Sequence, residues 1–191
     1  PANYGLNPTV FTADIEFAGQ VVKLNVTDPV ITAGVSIKKT GYAQTMNNNI
    51  MRWTVSGVRN DSTTSLQSFY WRDTLPTDAV RLTRLVTGTY STTQTYKVTF
   101  TTNLNSQWRT AYDNLSTAKN YTLDMSSAAL GLASNEYVTQ FMLSFGIVPA
   151  GFHQLTNATV DAQTLYALTN GYKFTNKADV GGLLGGNWVQ S

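Results

Sequence analysis

The sequence predicts an all-β fold, a sandwich of short strands joined by Greek-key connections. Three observations point there. Thr is abundant, 29 of 191 residues, and Phe, Trp and Tyr together make up 12%; with Val, these side chains suit the pleated, half-buried surface of a sheet. Apolar and polar residues alternate in segment after segment, the period of two that a strand imposes. Clusters of Asn, Asp, Ser, Gly and Pro separate those segments, and helical periodicity is almost absent.

Composition narrows the function. Hydrophobic residues reach 42%, ample for a core, while charged residues are only 13%, about half the usual share. The length suits one large sandwich, or one domain plus part of a second. The net charge is +2 and Lys38-Lys39 is the densest basic cluster, whereas a nucleic-acid surface needs a stripe of Lys and Arg. No apolar stretch approaches the roughly 20 residues of a membrane helix. Neither nucleic acid nor membrane is therefore expected as a partner. The chain opens Pro-Ala-Asn-Tyr with no leader in view, as a cut-out fragment would. Cysteine is absent, which removes disulfides, thiolate catalysis and Cys-based zinc sites. Low charge with a Thr- and Asn-rich texture (16 Asn) points to an extracellular setting.

The elements follow in order. Phe11, Ala13, Ile15 and Phe17 fall on one face of a first strand, and Val22, Leu24 and Val26 on one face of a second, with Ala18-Gly19 as the turn: a hairpin. Asp28-Pro29 breaks it. Further strands are expected at 34–40, 50–58, 66–74, 80–90, 94–102, 108–112, 121–125, 137–148 and 171–180. Asn47-Asn48-Asn49, Asn60-Asp61-Ser62 and Leu75-Pro76-Thr77-Asp78 separate them. Residues 127–133 suit one short helical turn. The glycine-rich stretch 181–186 reads as a linker or a domain end.

Three polar residues fall where alternation predicts core. Val35, Ile37 and Lys39 share one face, as do Phe69, Trp71, Asp73 and Leu75, and Tyr172, Phe174, Asn176 and Ala178. Burying a lysine, an aspartate and an asparagine singly is costly. If they meet, burial favours the neutral amine of Lys39 and the protonated carboxyl of Asp73. Lys39 then attacks the Asn176 carboxamide, ammonia leaves, and an isopeptide bond remains. The same residues are also accounted for without chemistry. Lys39 then reaches the edge, Asp73 caps the turn before Leu75-Pro76, and Asn176 bonds backbone.

Four segments carry a resemblance: Ile37-Lys-Lys-Thr-Gly41, Asn60, Phe69-Tyr-Trp-Arg-Asp-Thr-Leu-Pro76 and Phe174-Thr-Asn-Lys-Ala178. Over residues 32 to 180 the chain resembles the collagen-adhesin A-type and conserved-repeat domains of Gram-positive surface proteins. Those domains carry a Lys-Thr first strand, an Asp-x-Leu-Pro motif and a closing Asn-x-Ala strand. The resemblance implies an immunoglobulin-like Greek-key β-sandwich and places the cross-linking triad at Lys39, Asp73 and Asn176, with Lys38 as the alternative if the register slips by one. The spacing of 103 from Asp73 to Asn176 is long for such a domain and implies inserted hairpins or loops. Residues 1–31 are similar to the end of a B-type (prealbumin-like) repeat. The expected division is therefore 1–31, the closing strands of a preceding domain or an N-terminal hairpin, and 32–191, an Ig-like adhesin or stalk domain.

Other residues carry less. His153 is the single histidine, and Gly151-Phe-His-Gln reads as a loop. Asp124-Met-Ser126-Ser127 is followed by Ala128, which breaks any metal-dependent adhesion motif, and no metal site is expected. Asn25, Asn60, Asn114, Asn120 and Asn157 head Asn-x-Ser/Thr sequons, expected by chance in so Thr-rich a chain. Leu75-Pro76-Thr77-Asp78 lacks the Gly of a sortase signal and lies mid-chain. Trp53, Trp71, Trp108 and Trp188 are core residues, cross-strand partners or a glycan platform. The function expected is a structural or adhesive, pilin-like module at the cell wall, non-enzymatic and without cofactors. Its partners would be neighbouring domains of the same surface protein. The second reading is a module that binds a host matrix protein or a glycan through exposed aromatics.

Overall fold

A computed structural model describes residues 3–4, 10–17, 20–27, 30–43, 49–165 and 175–191, with side chains for 31–41, 49–165 and 175–191. None of the described residues is helical. The strands are β1 Asn3–Tyr4, β2 Val10–Phe17, β3 Gln20–Thr27, β4 Val30–Ile31, β5 Val35–Ala43, β6 Ile50–Asn60, β7 Leu66–Thr74, β8 Val80–Val86 and β9 Thr89–Tyr90. They continue as β10 Thr95–Thr102, β11 Arg109–Ser116, β12 Thr122–Asp124, β13 Val138–Val148, β14 Gln154–Thr156, β15 Ala158–Thr164, β16 Lys177–Leu184 and β17 Asn187–Gln190.

Two antiparallel sheets pack against each other. One has the order β12-β8-β15-β6-β5, the other β11-β10-β13-β7-β16-β17. Strand alternation builds the space between them. Val98, Leu143, Trp71 and Val180 form one inward row across four neighbouring strands, and Phe100, Phe141, Asp73 and Ala178 form the next. Val55, Leu85 and Val160 face them from the five-stranded sheet and are fully buried. Toward one end the core is aromatic. Tyr90 lies 4.8 Å from Phe145 and stacks on Phe152, which meets Phe69 edge-on at 5.3 Å. The phenol of Tyr90 accepts the Trp71 indole N–H at 2.9 Å and donates to the Thr87 carbonyl at 2.8 Å, so both polar groups enter the core satisfied.

The nine strands expected after residue 31 are present, with shifted ends and one division. The segment expected as one strand over 80–90 is two, because the chain turns at Gly88. There φ is +72° and an added Cβ would sit 2.4 Å from the Thr156 carbonyl oxygen, a conformation and a contact that only glycine accepts. Beyond it β9 leaves the sheet and pairs with β14. Three further strands after residue 31 were not anticipated, β14, β15 and β17, nor were the short β1 and β4 before it. The stretch 181–186 is not a linker, because its first four residues continue β16, and β17 folds back on them. Gly181 and Gly182 are needed for close packing. A Cβ on Gly181 would lie 2.9 Å from the Tyr70 ring, and one on Gly182 2.9 Å from Leu66. Residues 126–132 form one short helix-like turn, close to the expected 127–133. Leu130 N–H bonds the Ser126 carbonyl, and Gly131 and Leu132 N–H close it on Ala128 and Ser127, the double closure typical of a helical C-terminus.

The expected N-terminal hairpin is present: β2 pairs antiparallel with β3, matching Phe11 with Val26, Ala13 with Leu24 and Ile15 with Val22. Its turn, Ala18-Gly19, and the Asp28-Pro29 break lie outside the described residues. Strands β1 and β4 pair with each other in parallel. Among the described residues no strand ladder joins β1–β4 to either sandwich sheet.

Candidate functional site

Three elements bring the polar residues together. Lys39 lies on β5, the edge of the five-stranded sheet. Asp73 lies on β7 in the opposite sheet, between Phe141 of β13 and Ala178 of β16. Asn176 immediately precedes β16, one residue short of the strand expected to contain it; Tyr172 and Phe174 lie outside the described residues. Strands β5 and β16 run close together where the two sheets meet. That approach brings Lys39 and Asn176, far apart in the sequence, to the same carboxylate.

Lys39 Nζ donates a hydrogen bond to Asp73 Oδ2, and Asn176 Nδ2 stands 3.5 Å from that same oxygen. One carboxylate oxygen therefore holds both nitrogens. Asp73 has no solvent exposure, and the Lys39 side chain retains 10%. The Trp53 ring lies 5.6 Å from Nζ. Asp73 Oδ1 and Asn176 Oδ1 are buried without hydrogen-bond partners, so the cluster is incompletely satisfied. Lys38 is exposed; a register shift between Ser36 and Lys38 leaves Lys39 as the lysine facing Asp73.

Burial acts against both charges. Burial pushes the Asp73 carboxyl up from 3.8 to about 6, even though Lys39 and the Asn176 amide pull it back. Burial likewise lowers the Lys39 ammonium, against the attraction of Asp73. Both shifts have one cause: a dry interior penalises each charge more than the partner rewards it. Both shifts move the pair toward the neutral amine, the nucleophilic form of lysine, and toward a protonated carboxyl, beside a carboxamide.

The remaining sequence candidates separate. Trp71 and Trp53 are core residues at 0% and 7% exposure, whereas Trp108 and Trp188 are exposed. Asn60 is buried, and its side-chain amide donates to the Thr64 and Pro149 carbonyls; it knits loops together and offers no free glycan acceptor. His153, read from the sequence as a loop residue, forms an isolated β-bridge with Arg59 just ahead of β14, with Nδ1 2.9 Å from the Gly151 carbonyl oxygen. Asp124 accepts from the Ser126 N–H, which, with the Ser126 hydroxyl, holds its carboxyl below the ordinary value.

One cluster went unread in the sequence. Asp161, in the overlooked β15, is 3% exposed; it takes a bidentate pair of bonds from Arg52 at 2.7 and 2.9 Å and two bonds from Arg84 at 3.0 and 2.6 Å, both on Oδ2. Burial acts to raise this carboxyl, but the two guanidiniums together hold it below its ordinary value. The available signal was the alternation of Ala158, Val160, Ala162 and Thr164, too small-sided to stand out as a strand.

No protein-family model matches the chain, and no curated protein matches it.

Proposed function

We propose that this chain is a non-enzymatic, self-cross-linking module of a bacterial surface protein, with an immunoglobulin-like Greek-key sandwich over residues 32–191. Its role is structural or adhesive: it sits outside the cell, at the cell wall, and joins neighbouring domains of one protein. Residues 1–31 then close a preceding domain. The observation that carries the reading is the single buried Asp73 oxygen shared by Lys39 and Asn176. The motifs at Lys39-Thr40, Asp73-Thr-Leu-Pro76 and Asn176-Lys-Ala178 support it.

The chemistry balances without a cofactor. Protonated Asp73 polarises the Asn176 carboxamide as the neutral Lys39 amine adds to Cγ. The carboxylate takes a proton from the added nitrogen and delivers it to the amide nitrogen. The Cγ–Nδ2 bond breaks, ammonia leaves, and the carbonyl re-forms as its proton returns to Asp73. One Nζ–Cγ bond replaces one Nδ2–Cγ bond, and Asp73 ends as it began. The reaction occurs once per molecule. Intact-mass spectrometry tests it: the wild type should be lighter than its sequence by about 17 Da, the mass of ammonia lost when an amine is acylated by an amide. Lys39→Ala, Asp73→Ala and Asn176→Ala should each show their full calculated mass. A wild type at its full calculated mass refutes the bond and leaves an ordinary buried ion pair.

A further inference from the structure

The outer face of the six-stranded sheet carries a cleft of about 580 Å³ that the cross-link chemistry does not use. Register places three successive rows on this face: Lys97, Ser144 and Tyr70; then Thr99, Met142 and Arg72; then Thr101, Gln140 and Thr74. The cleft lies over the first two rows. An indole stands at each side. Trp188, on β17, is 52% exposed and meets Tyr70 edge-on at 5.8 Å. Trp108, just ahead of β11, is 38% exposed. Trp108 also walls a second cleft of about 390 Å³ over the third row, lined by hydroxyls and amides including Thr74, Thr101, Thr139 and Gln140.

We propose that this face binds an acidic oligosaccharide, with sugar rings stacked against Trp108 and Trp188 and a sugar carboxylate on Lys97. The chemistry of the lining selects the ligand class. Exposed aromatic faces interleaved with hydroxyls and amides suit a chain of rings whose faces are apolar and whose edges are hydroxylated. A peptide that adds a strand needs a free sheet edge, and the floor of this cleft is the face of paired interior strands. The charge is complementary to an acid. No carboxylate lines the first cleft; Arg72 is paired with Asp179, and among the described residues no carboxylate pairs with Lys97. The proposal is independent of the bond between Lys39 and Asn176, and failure of either leaves the other standing.

Titration calorimetry on the full 191-residue chain tests it. The probes are a hyaluronan hexasaccharide, an oligogalacturonate, neutral chitohexaose and a Glu-rich peptide. At least one acidic sugar should bind saturably. Trp108→Ala and Trp188→Ala should each weaken that binding roughly tenfold, about the worth of one aromatic stacking partner. Lys97→Gln should reduce acidic-sugar binding severalfold and leave chitohexaose unchanged. Circular dichroism should show the variants folded, since all three side chains are on the surface. The proposal is overturned if neither acidic sugar binds, if binding ignores the indole substitutions, if chitohexaose binds as well as the acids, or if the Glu-rich peptide binds in their place.

Discussion

Replacing Asn176 by Ala removes the acceptor amide and leaves Lys39 beside Asp73, so it separates the covalent link from the packing around it. The link would close a loop of 137 residues (176 − 39). By the chain-entropy relation used for disulfides, that closure is worth about 5 kcal/mol at 25 °C. Unfolding entropy of about 2.1 cal/mol/K per residue gives roughly 0.34 kcal/mol/K for the 160 residues of 32–191. The expected fall in Tm is therefore about 15 °C. Scanning calorimetry reads it directly. Urea unfolding adds a second signature: without the link the denatured chain opens further, so the m-value of Asn176→Ala should exceed that of the wild type. Within the folded state the substitution removes a single 3.5 Å approach between Asn176 and Asp73, too weak to account for such a shift. A fall of only 2–3 °C (about 1 kcal/mol) with an unchanged m-value would refute the loop-closure argument.

Further outcomes follow from the same geometry. In the Asn176→Ala background the folded Asp73 carboxyl keeps its proton to a higher pH than the unfolded one, whose value is 3.8. Its contribution is present below that value and is lost as pH rises through about 6. Asn176→Ala should thus lose stability from pH 4 to pH 7 relative to Asn176→Ala/Asp73→Asn; equal or opposite slopes in urea melts would exclude it. Asp161→Asn removes the carboxylate that Arg52 and Arg84 share and should cost about 3 kcal/mol in chemical denaturation, the low end for a broken buried pair because both guanidiniums touch solvent. Gly41→Ala would put a Cβ 2.2 Å from Trp53 Cδ1 and should destabilise by about 1–3 kcal/mol. By moving the ring beside Lys39 it should also leave unreacted protein detectable by intact mass.

Much of the site was legible because strand alternation is strict where a strand is long and large-sided. Strand β7 matches its expected limits, and Phe69, Trp71, Asp73 and Leu75 are all buried. Asp73 was recognisable as a polar residue in an apolar row. Lys39 followed in the same way, with Ile37 packed on the core beside it. Strand β15 was missed although it is central to its sheet, since its small side chains sit opposite larger partners, Ala162 between Met51 and Leu82. The 181–186 stretch misled for the opposite reason. Glycine there answers the bulk of Tyr70 and Leu66 across the ladder, a demand written in β7 and invisible in the local sequence. The break at Gly88 likewise depends on Thr156, 68 residues further along the chain.

The meeting of β5 and β16 across the two sheets has a mechanical consequence. A domain strung between neighbours receives force at its first strand and passes it on after its last. The first strand, β5, lies beside β16, the last but one, so an amide between Lys39 and Asn176 would carry tension straight from one to the other. The 136 residues between Lys39 and Asn176 would stay slack, and the hydrogen-bond ladders among β6 to β15 would sit outside the load path. Pulled by its ends in a force spectrometer, such a domain would show no extension from that segment, because no covalent route through it would be under tension.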